Sequence, residues 1–282
     1  MSTDHAVEID GAHVHYVDDG SGPTLLMLHG NPTSSYLYRH IIAGLRNQYR
    51  CVALDLPGFG TSTAPPGYGF TPREHSSIVE RFVEALALRD VTLFVQDWGG
   101  PIGLGFAGRR PELVRRLVLG NTWAWPVNGD LHFEYFSRLM GGPVGRFFIL
   151  RYNAFVNLLI PAGVKRRRLP REVMDAYRAP FPTPGSRLPT AIFPREILAS
   201  RAYLAEVEAG LAALRDRPAL ILWGTKDIAF RPKERVRLER TFPSHRTVIL
   251  EGAGHYIQED APDEIVDAIR AWSRDLDQGT TP

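Results

Sequence analysis

Four polar signals stand at the ends of short apolar runs: His29-Gly30-Asn31-Pro32, Asp97-Trp98-Gly99-Gly100, Asp227 in Trp223-Gly224-Thr225-Lys226-Asp227, and His255 in Gly252-Ala253-Gly254-His255. Asp97 is the group suited to covalent chemistry. A serine needs a base to ionise it, whereas a carboxylate is already charged at neutral pH. Carboxylate nucleophiles suit displacement at saturated carbon and leave an ester that water must cleave. Gly99 and Gly100 permit a tight strand-to-helix turn, and the amides at a helix start favour an anion there. Read alone, Asp97 fits the N-cap of the following helix equally well. His255 suits a general base acting on water, a role typically worth ~10²–10⁴-fold. Asp227 suits a carboxylate that orients His255 and stabilises its imidazolium, although aspartates are common in turns. Trp98 carries a donor-only indole N–H and Asn31 a carboxamide that also donates. Their plainer readings are core packing and a turn beside Pro32.

The elements that must position these groups follow from hydrophobic pattern. Ala12–Val17 alternates and stops at the turn 18–23, so it reads as a strand. Thr24–Leu28, Cys51–Leu54, Val91–Val95, Arg116–Leu119, Ala219–Trp223 and Thr247–Leu250 are short apolar runs, as expected of strands buried on both faces of a parallel sheet. Helical spacing covers Tyr36–Leu45, Arg73–Leu88 with Thr71 as N-cap and Pro72 at its start, a small-residue stretch through Ala107, Pro232–Thr241 and Ala261–Trp272. From about Asp130 to Leu211 the pattern changes to helices joined by Pro-rich loops. The reading is an α/β fold, a mostly parallel sheet with helices on both faces. Residues 1–125 and 213–282 would form the core domain and 126–212 a helical cap inserted in the chain. Ligands of open α/β sheets bind beyond the carboxyl ends of the strands, which the cap would roof.

Composition narrows the function classes. The chain has 282 residues, 44% of them hydrophobic, and a net charge of +2. That is ample for a core and gives no strong field for nucleic acid. The run Lys165-Arg166-Arg167-Arg168 lacks aromatic interleaving and reads as a solvated cap face. Cys51 is the single cysteine, which rules out an intramolecular disulfide and a multi-cysteine metal site. No secretory signal and no apolar run approaching ~18 residues is evident. The expectation is a cytoplasmic protein with neither a nucleic-acid nor a membrane partner. His29 reads as structural, His13 and His15 as solvated, and the cap phenylalanines 133, 136, 147, 148 and 155 as pocket lining or core.

The order nucleophile, acid, histidine along the chain is that of the α/β-hydrolase superfamily, which the sequence resembles over nearly its whole length. Within it the chain resembles the haloalkane dehalogenases. The resemblance implies that Trp98 and Asn31 hold the departing halide with their side chains. Their backbone N–H groups would form the oxyanion hole for ester hydrolysis. It also implies a small haloalkane substrate, water and halide as the only partners in the reaction, no cofactor and no metal. The nearest alternative is an epoxide hydrolase, which shares the elbow Asp-Trp-Gly. That family usually has His where Gln96 stands and an aromatic residue where Asn31 stands, and it needs two cap tyrosines, for which 135, 152, 177 and 203 are available. A non-catalytic binding protein on this fold is a third reading. Superfamily relatives sometimes carry the acid after the preceding strand, but Gly120-Asn121-Thr122-Trp123 holds no carboxylate. Asn31 with an acid at Asp227 resembles a less common dehalogenase subfamily, which implies a homo-oligomer.

Overall fold

The computed structural model describes residues 3–279. Eight strands form one sheet: β1 (Thr3–Ile9), β2 (Ala12–Asp19), β3 (Thr24–Leu28), β4 (Arg50–Leu54), β5 (Val91–Asp97), β6 (Val114–Thr122), β7 (Ala219–Gly224) and β8 (His245–Leu250). Their spatial order is β1-β2-β4-β3-β5-β6-β7-β8. β2 pairs antiparallel with β1 and β4, and the sheet is parallel from β4 to β8. Every residue of β5 and of β7 is buried, which explains why these strands read as continuous apolar runs rather than alternating ones.

β1 was not anticipated. Most of its described side chains are exposed and only Ile9 is buried, so it shows no apolar alternation. Asp10 (φ +49°) and Gly11 (φ +79°) make the two-residue reversal that Asp-Gly favours. His13 is exposed, as expected. His15 is a correction. Its Nδ1 lies 2.9 Å from Asp55 Oδ2 and its side chain is only 19% exposed, because pairing with β4 brings Asp55 across from it.

The helices of the core are α1 (Arg39–Leu45), α2 (Pro72–Ala85) and α3 (Gly99–Arg109). The helical run expected from Tyr36 divides into a 3₁₀ turn, Ser35–Tyr38, and α1. α2 starts as expected: Thr71 accepts from the Glu74 N–H and Glu74 reaches back to Thr71, closing a capping box. The inserted region between β6 and β7 contains α4 (Leu131–Gly141), α5 (Pro143–Tyr152), a π-turn over Phe155–Leu159, α6 (Ile160–Gly163), α7 (Arg171–Arg178), α8 (Leu188–Ala199) and α9 (Arg201–Gly210). The chain closes with α10 (Pro232–Thr241), α11 (Ile257–Asp260) and α12 (Pro262–Asp277).

α11 ties the inserted helices to the core. The Glu259 carboxylate is fully buried and accepts from Arg39 at 2.6 and 2.9 Å, from Arg167 at 3.2 Å and from the Tyr177 hydroxyl at 2.5 Å. Asp260 accepts the backbone N–H groups of Lys165, Arg166 and Gly254. A buried carboxylate needs this many donors to offset its desolvation. Arg166 and Arg167 are thereby committed to ion pairs with Glu264 and Glu259.

Candidate active site

The segments following β3, β5, β7 and β8 converge at the carboxyl edge of the sheet. Asp97 ends β5 with φ +50°, a conformation that costs a non-glycine residue energy and is characteristic of a strained strand-to-helix elbow. The elbow closes because Gly99 has no side chain: a Cβ there would collide with the Leu28 carbonyl oxygen. Thr122 Oγ1 donates to the Asp97 carbonyl at 2.6 Å and steadies the turn.

The Asp97 carboxylate does not cap α3, whose N-cap is Trp98 without a side-chain bond. It turns instead toward the loop after β3, where Oδ1 accepts the Asn31 N–H at 2.8 Å. Oδ2 faces His255 Nε2 at 3.6 Å. Burial pushes the Asp97 pKa up, while His255 and the Trp98 and Asn31 N–H groups oppose that rise.

His255 Nδ1 lies 3.2 and 3.1 Å from Asp227 Oδ1 and Oδ2. Asp227 is held in turn by the Ala229 N–H at 2.6 Å. Burial disfavours the imidazolium, but Asp227 and then Asp97 outweigh it, and the His255 pKa is raised. Gln96 Nε2 lies 3.2 Å from both His255 Nε2 and the His255 carbonyl oxygen. A carboxamide NH₂ can only donate, so this contact suits a neutral ring with its proton on Nδ1, toward Asp227.

The backbone of the histidine loop is fixed just as tightly. The His255 N–H donates to the Gly163 carbonyl at 2.7 Å, across to the inserted helices. Asn121 accepts from the Gly224 N–H and donates to the Gly254 carbonyl, both at 2.9 Å. Asn121 therefore stands at the carboxyl end of β6, near where some relatives carry the acid, and joins the two loops that bear Asp227 and His255. Sequence reasoning used Gln96 and Asn121 only to compare families. Their adjacency to the elbow and to a strand end was the available signal.

Asp97, His255, Asn31 and Trp98 line a cavity of about 130 Å³ whose other walls are mostly apolar, among them Trp123, Phe133, Phe136, Phe155 and Phe230, with His132 and Tyr256 also lining it. That is room for one small apolar molecule. Asn31 Nδ2 donates to the Thr190 carbonyl at 3.3 Å, which leaves its second N–H for another acceptor. The Trp98 indole N–H has no acceptor among the described residues. The backbone N–H of Asn31 meets the carboxylate, while that of Trp98 acts on it electrostatically. His29 is buried beneath this loop: Nδ1 is 2.8 Å from the Gly30 carbonyl oxygen and Nε2 accepts the Leu56 N–H at 3.0 Å. Of the cap phenylalanines, Phe133, Phe136 and Phe155 reach the cavity. Phe147 and Phe148 do neither thing expected of them and are exposed.

The four cap tyrosines are absent from the cavity wall. Tyr135 and Tyr152 are exposed, Tyr177 donates to Glu259, and Tyr203 donates to the Pro101 carbonyl. Two tyrosine proton donors over the nucleophile, which an epoxide hydrolase would need, are not assembled from them. Among the described residues, no group of three or more His, Cys, Asp or Glu side chains is placed to hold a metal ion.

The chain was compared with known proteins. The alpha/beta hydrolase fold family matches residues 23–262. Haloalkane dehalogenase 2 of Mycobacterium tuberculosis is 48% identical over 258 residues, covering 91% of this chain and 90% of that protein. A cis-3-alkyl-4-alkyloxetan-2-one decarboxylase of Xanthomonas campestris is 35% identical over 279 residues, 93% and 92% of the two chains. The crystal structure of haloalkane dehalogenase DbeA from Bradyrhizobium elkani superposes with a TM-score of 0.89 at 31% identity, over 98% of this chain and 99% of its own.

Proposed function

Because the chain belongs to the haloalkane dehalogenases of the α/β-hydrolase family, hydrolysing carbon–halogen bonds, we propose that Asp97, His255 and Asp227 are its catalytic residues and that Asn31 and Trp98 hold the halide. The observation that carries this reading is the division of labour between the two Asp97 oxygens: Oδ1 is bound by the Asn31 N–H, while Oδ2 faces His255 at the cavity.

In the first step Oδ2 attacks the carbon bearing the halogen. The carbon–halogen bond breaks with its electron pair, and the halide leaves onto the Asn31 carboxamide and Trp98 indole donors. The product is an alkyl ester of Asp97. In the second step His255 Nε2 takes a proton from water, and the resulting hydroxide adds to the ester carbonyl carbon. The developing oxyanion is Oδ1, already at the Asn31 N–H, and the Trp98 N–H adjoins it. Such preset donors cost no reorganisation at the moment of reaction. Collapse expels the alcohol, which takes the proton from the imidazolium, and Asp97 returns as a carboxylate with release of one proton. Asp227 keeps the His255 proton on Nδ1 and stabilises the imidazolium. The reading needs no cofactor and no metal, since aspartate and water make every bond.

The proposal extends to organisation. Residues 126–212 act as a cap domain over a core of 1–125 and 213–282, and the cap helices carry Phe133, Phe136 and Phe155 to the cavity. The expected compartment is the cytoplasm and the expected assembly a homo-oligomer, which sedimentation velocity measures directly.

The decisive experiment is a His255→Ala variant given a short bromoalkane. It should release one halide per protein and gain the mass of the alkyl group on Asp97. Turnover without adduct would contradict the covalent route. Diol formation from styrene oxide, without halide release from bromoalkanes, would instead favour epoxide hydrolysis.

A further inference from the structure

Helix α5 is amphipathic in the wrong direction for a core helix. Its buried residues are only Gly145 and Ile149. Val144, Phe147, Phe148 and Tyr152, spaced i, i+3, i+4 and i+8, are 66%, 56%, 49% and 53% exposed. That spacing normally makes the stripe a helix buries. The three rings touch one another, with centroids 5.6 to 6.1 Å apart, so they form one continuous patch. Leu158, 64% exposed, extends the apolar surface along the same segment. Its neighbours Phe155 and Leu159 line the active-site cavity.

The patch carries positive charge of its own. Of the eight Arg or Lys residues between Glu134 and Glu172, Arg138, Arg166, Arg167 and Arg171 are answered by Glu134, Glu264, Glu259 and Asp175. Arg146 and Arg151 lie on α5 itself and make no ion pair among the described residues. Arg151 sits over the Tyr152 ring at 5.2 Å. The Arg187 guanidinium closes the carboxyl end of α5 on the Leu150 and Arg151 carbonyls, again without a carboxylate. Exposed apolar patches of this kind mark interaction surfaces. A second copy docked face to face on α5 would set Arg146 and Arg151, which have no ion pair among the described residues, against their own counterparts. An anionic lipid surface supplies both the missing charge and an apolar phase for the rings.

We propose that α5 is a peripheral docking face for an anionic phospholipid bilayer. Haloalkanes partition into lipid, so docking would bring the part of the cavity wall formed by Phe155 and Leu159 to the phase where substrate collects. Only this delivery clause rests on the dehalogenase activity; the docking does not. The sequence expectation of no membrane partner rested on the lack of a spanning run. Among the described residues no helix is long and apolar enough to cross a membrane, but a patch lying in the interface needs no span.

The test is co-sedimentation of the whole protein with vesicles of equal parts phosphatidylglycerol and phosphatidylcholine, against phosphatidylcholine alone. Wild type should partition at least about tenfold more strongly to the anionic vesicles. Phe147→Ser/Phe148→Ser and Arg146→Gln/Arg151→Gln should each lose about tenfold or more. Both variants should keep wild-type turnover of a short, water-soluble bromoalkane and lose efficiency only with a long-chain bromoalkane dissolved in the vesicles. Absence of vesicle binding by wild type, or equal binding by all three proteins, would overturn the proposal. So would self-association in light scattering that the phenylalanine variant abolishes without any vesicle binding, which would assign α5 to a second copy.

Discussion

Two aspartate–histidine pairs stand at strand ends of the same sheet, and they differ in what the far ring nitrogen meets. Asp227, after β7, holds His255 Nδ1 at 3.1 Å, and Nε2 then faces Asp97 across the cavity. Asp55, after β4, holds His15 Nδ1 at 2.9 Å, and Nε2 then faces the exposed Asp4 at 3.4 Å. Both histidines have raised pKa values, so a perturbed titration alone does not distinguish the cavity histidine from the other. The aspartates differ as well. Asp55 also accepts the Ser35 and Thr61 N–H groups at 2.7 and 3.0 Å, which makes it a knot between three segments. Asp227 accepts one backbone N–H and otherwise serves the ring. An Asp–His pair becomes a base when its free nitrogen meets an electrophile site in a dry pocket, and a structural clasp when its carboxylate is saturated by backbone.

Removing the proposed nucleophile should have the largest effect. Asp97→Ala should lower halide release by on the order of 10⁵-fold or more, with no loss of thermal stability, since it deletes a desolvated carboxylate. Exchanging each pair's acid should then separate their roles. Asp227→Asn should cut the steady-state rate by about 10³–10⁴-fold, because the wrong tautomer is held, while the fold persists. Asp55→Asn should do the opposite: about 3 kcal/mol of unfolding free energy lost in urea titration, and near-normal turnover in the fraction still folded. Equal effects of the two substitutions on turnover would dissolve the distinction.

The pH dependence sharpens the same contrast. In the proposed route carbon–halogen cleavage requires only ionised Asp97, so kcat/KM should show no His255 limb and should fall only as pH falls through the raised pKa of Asp97. Ester hydrolysis requires neutral His255, so a hydrolysis-limited kcat should fall as pH falls. Esterification removes the Asp97 charge, one of the two carboxylates that raise His255. The kcat limb should therefore lie below the pKa found by NMR titration of the free enzyme, and an inflection above that pKa would contradict the assignment. The smallest effect concerns His15. Its raised folded pKa means its contribution is complete below the unfolded value of about 6.5 and lost as pH rises through the folded value. His15→Gln should cost about 1 kcal/mol at about pH 6, and the difference in melting temperature should shrink toward about pH 9.

Local sequence was sufficient for much of this. Strand ends carrying Asp97 and Asp227 were legible because the buried strands β5 and β7 are continuous apolar runs, and the elbow because Gly99 and Gly100 follow the aspartate; β8, before His255, corrects the expectation of burial on both faces, since only Leu250 in it is buried. The N-cap at Thr71 and the helical insertion were legible for the same reason: their signals lie within a few residues. β1 escaped because an edge strand exposed on most of its length leaves no hydrophobic period. The cap phenylalanines could not be sorted, since helical spacing says that a stripe exists but not what it faces. Phe155 turned inward and Phe147 outward only through the packing of α4, α5 and α8.

What the chain determined by itself is therefore the cast: a carboxylate at an elbow, a histidine and an acid after later strands, and donors at Asn31 and Trp98. Tertiary structure decided which contacts each member makes. Parallel pairing of β3, β5, β6, β7 and β8 brought residues up to 224 positions apart in the chain to one edge. It turned Asp97 away from the helix cap to the Asn31 N–H and made Asn121 the tie between the Asp227 and His255 loops, while antiparallel pairing of β2 with β4 left His15 a clasp rather than a base. These outcomes depend on distances across the sheet, which no local spacing encodes.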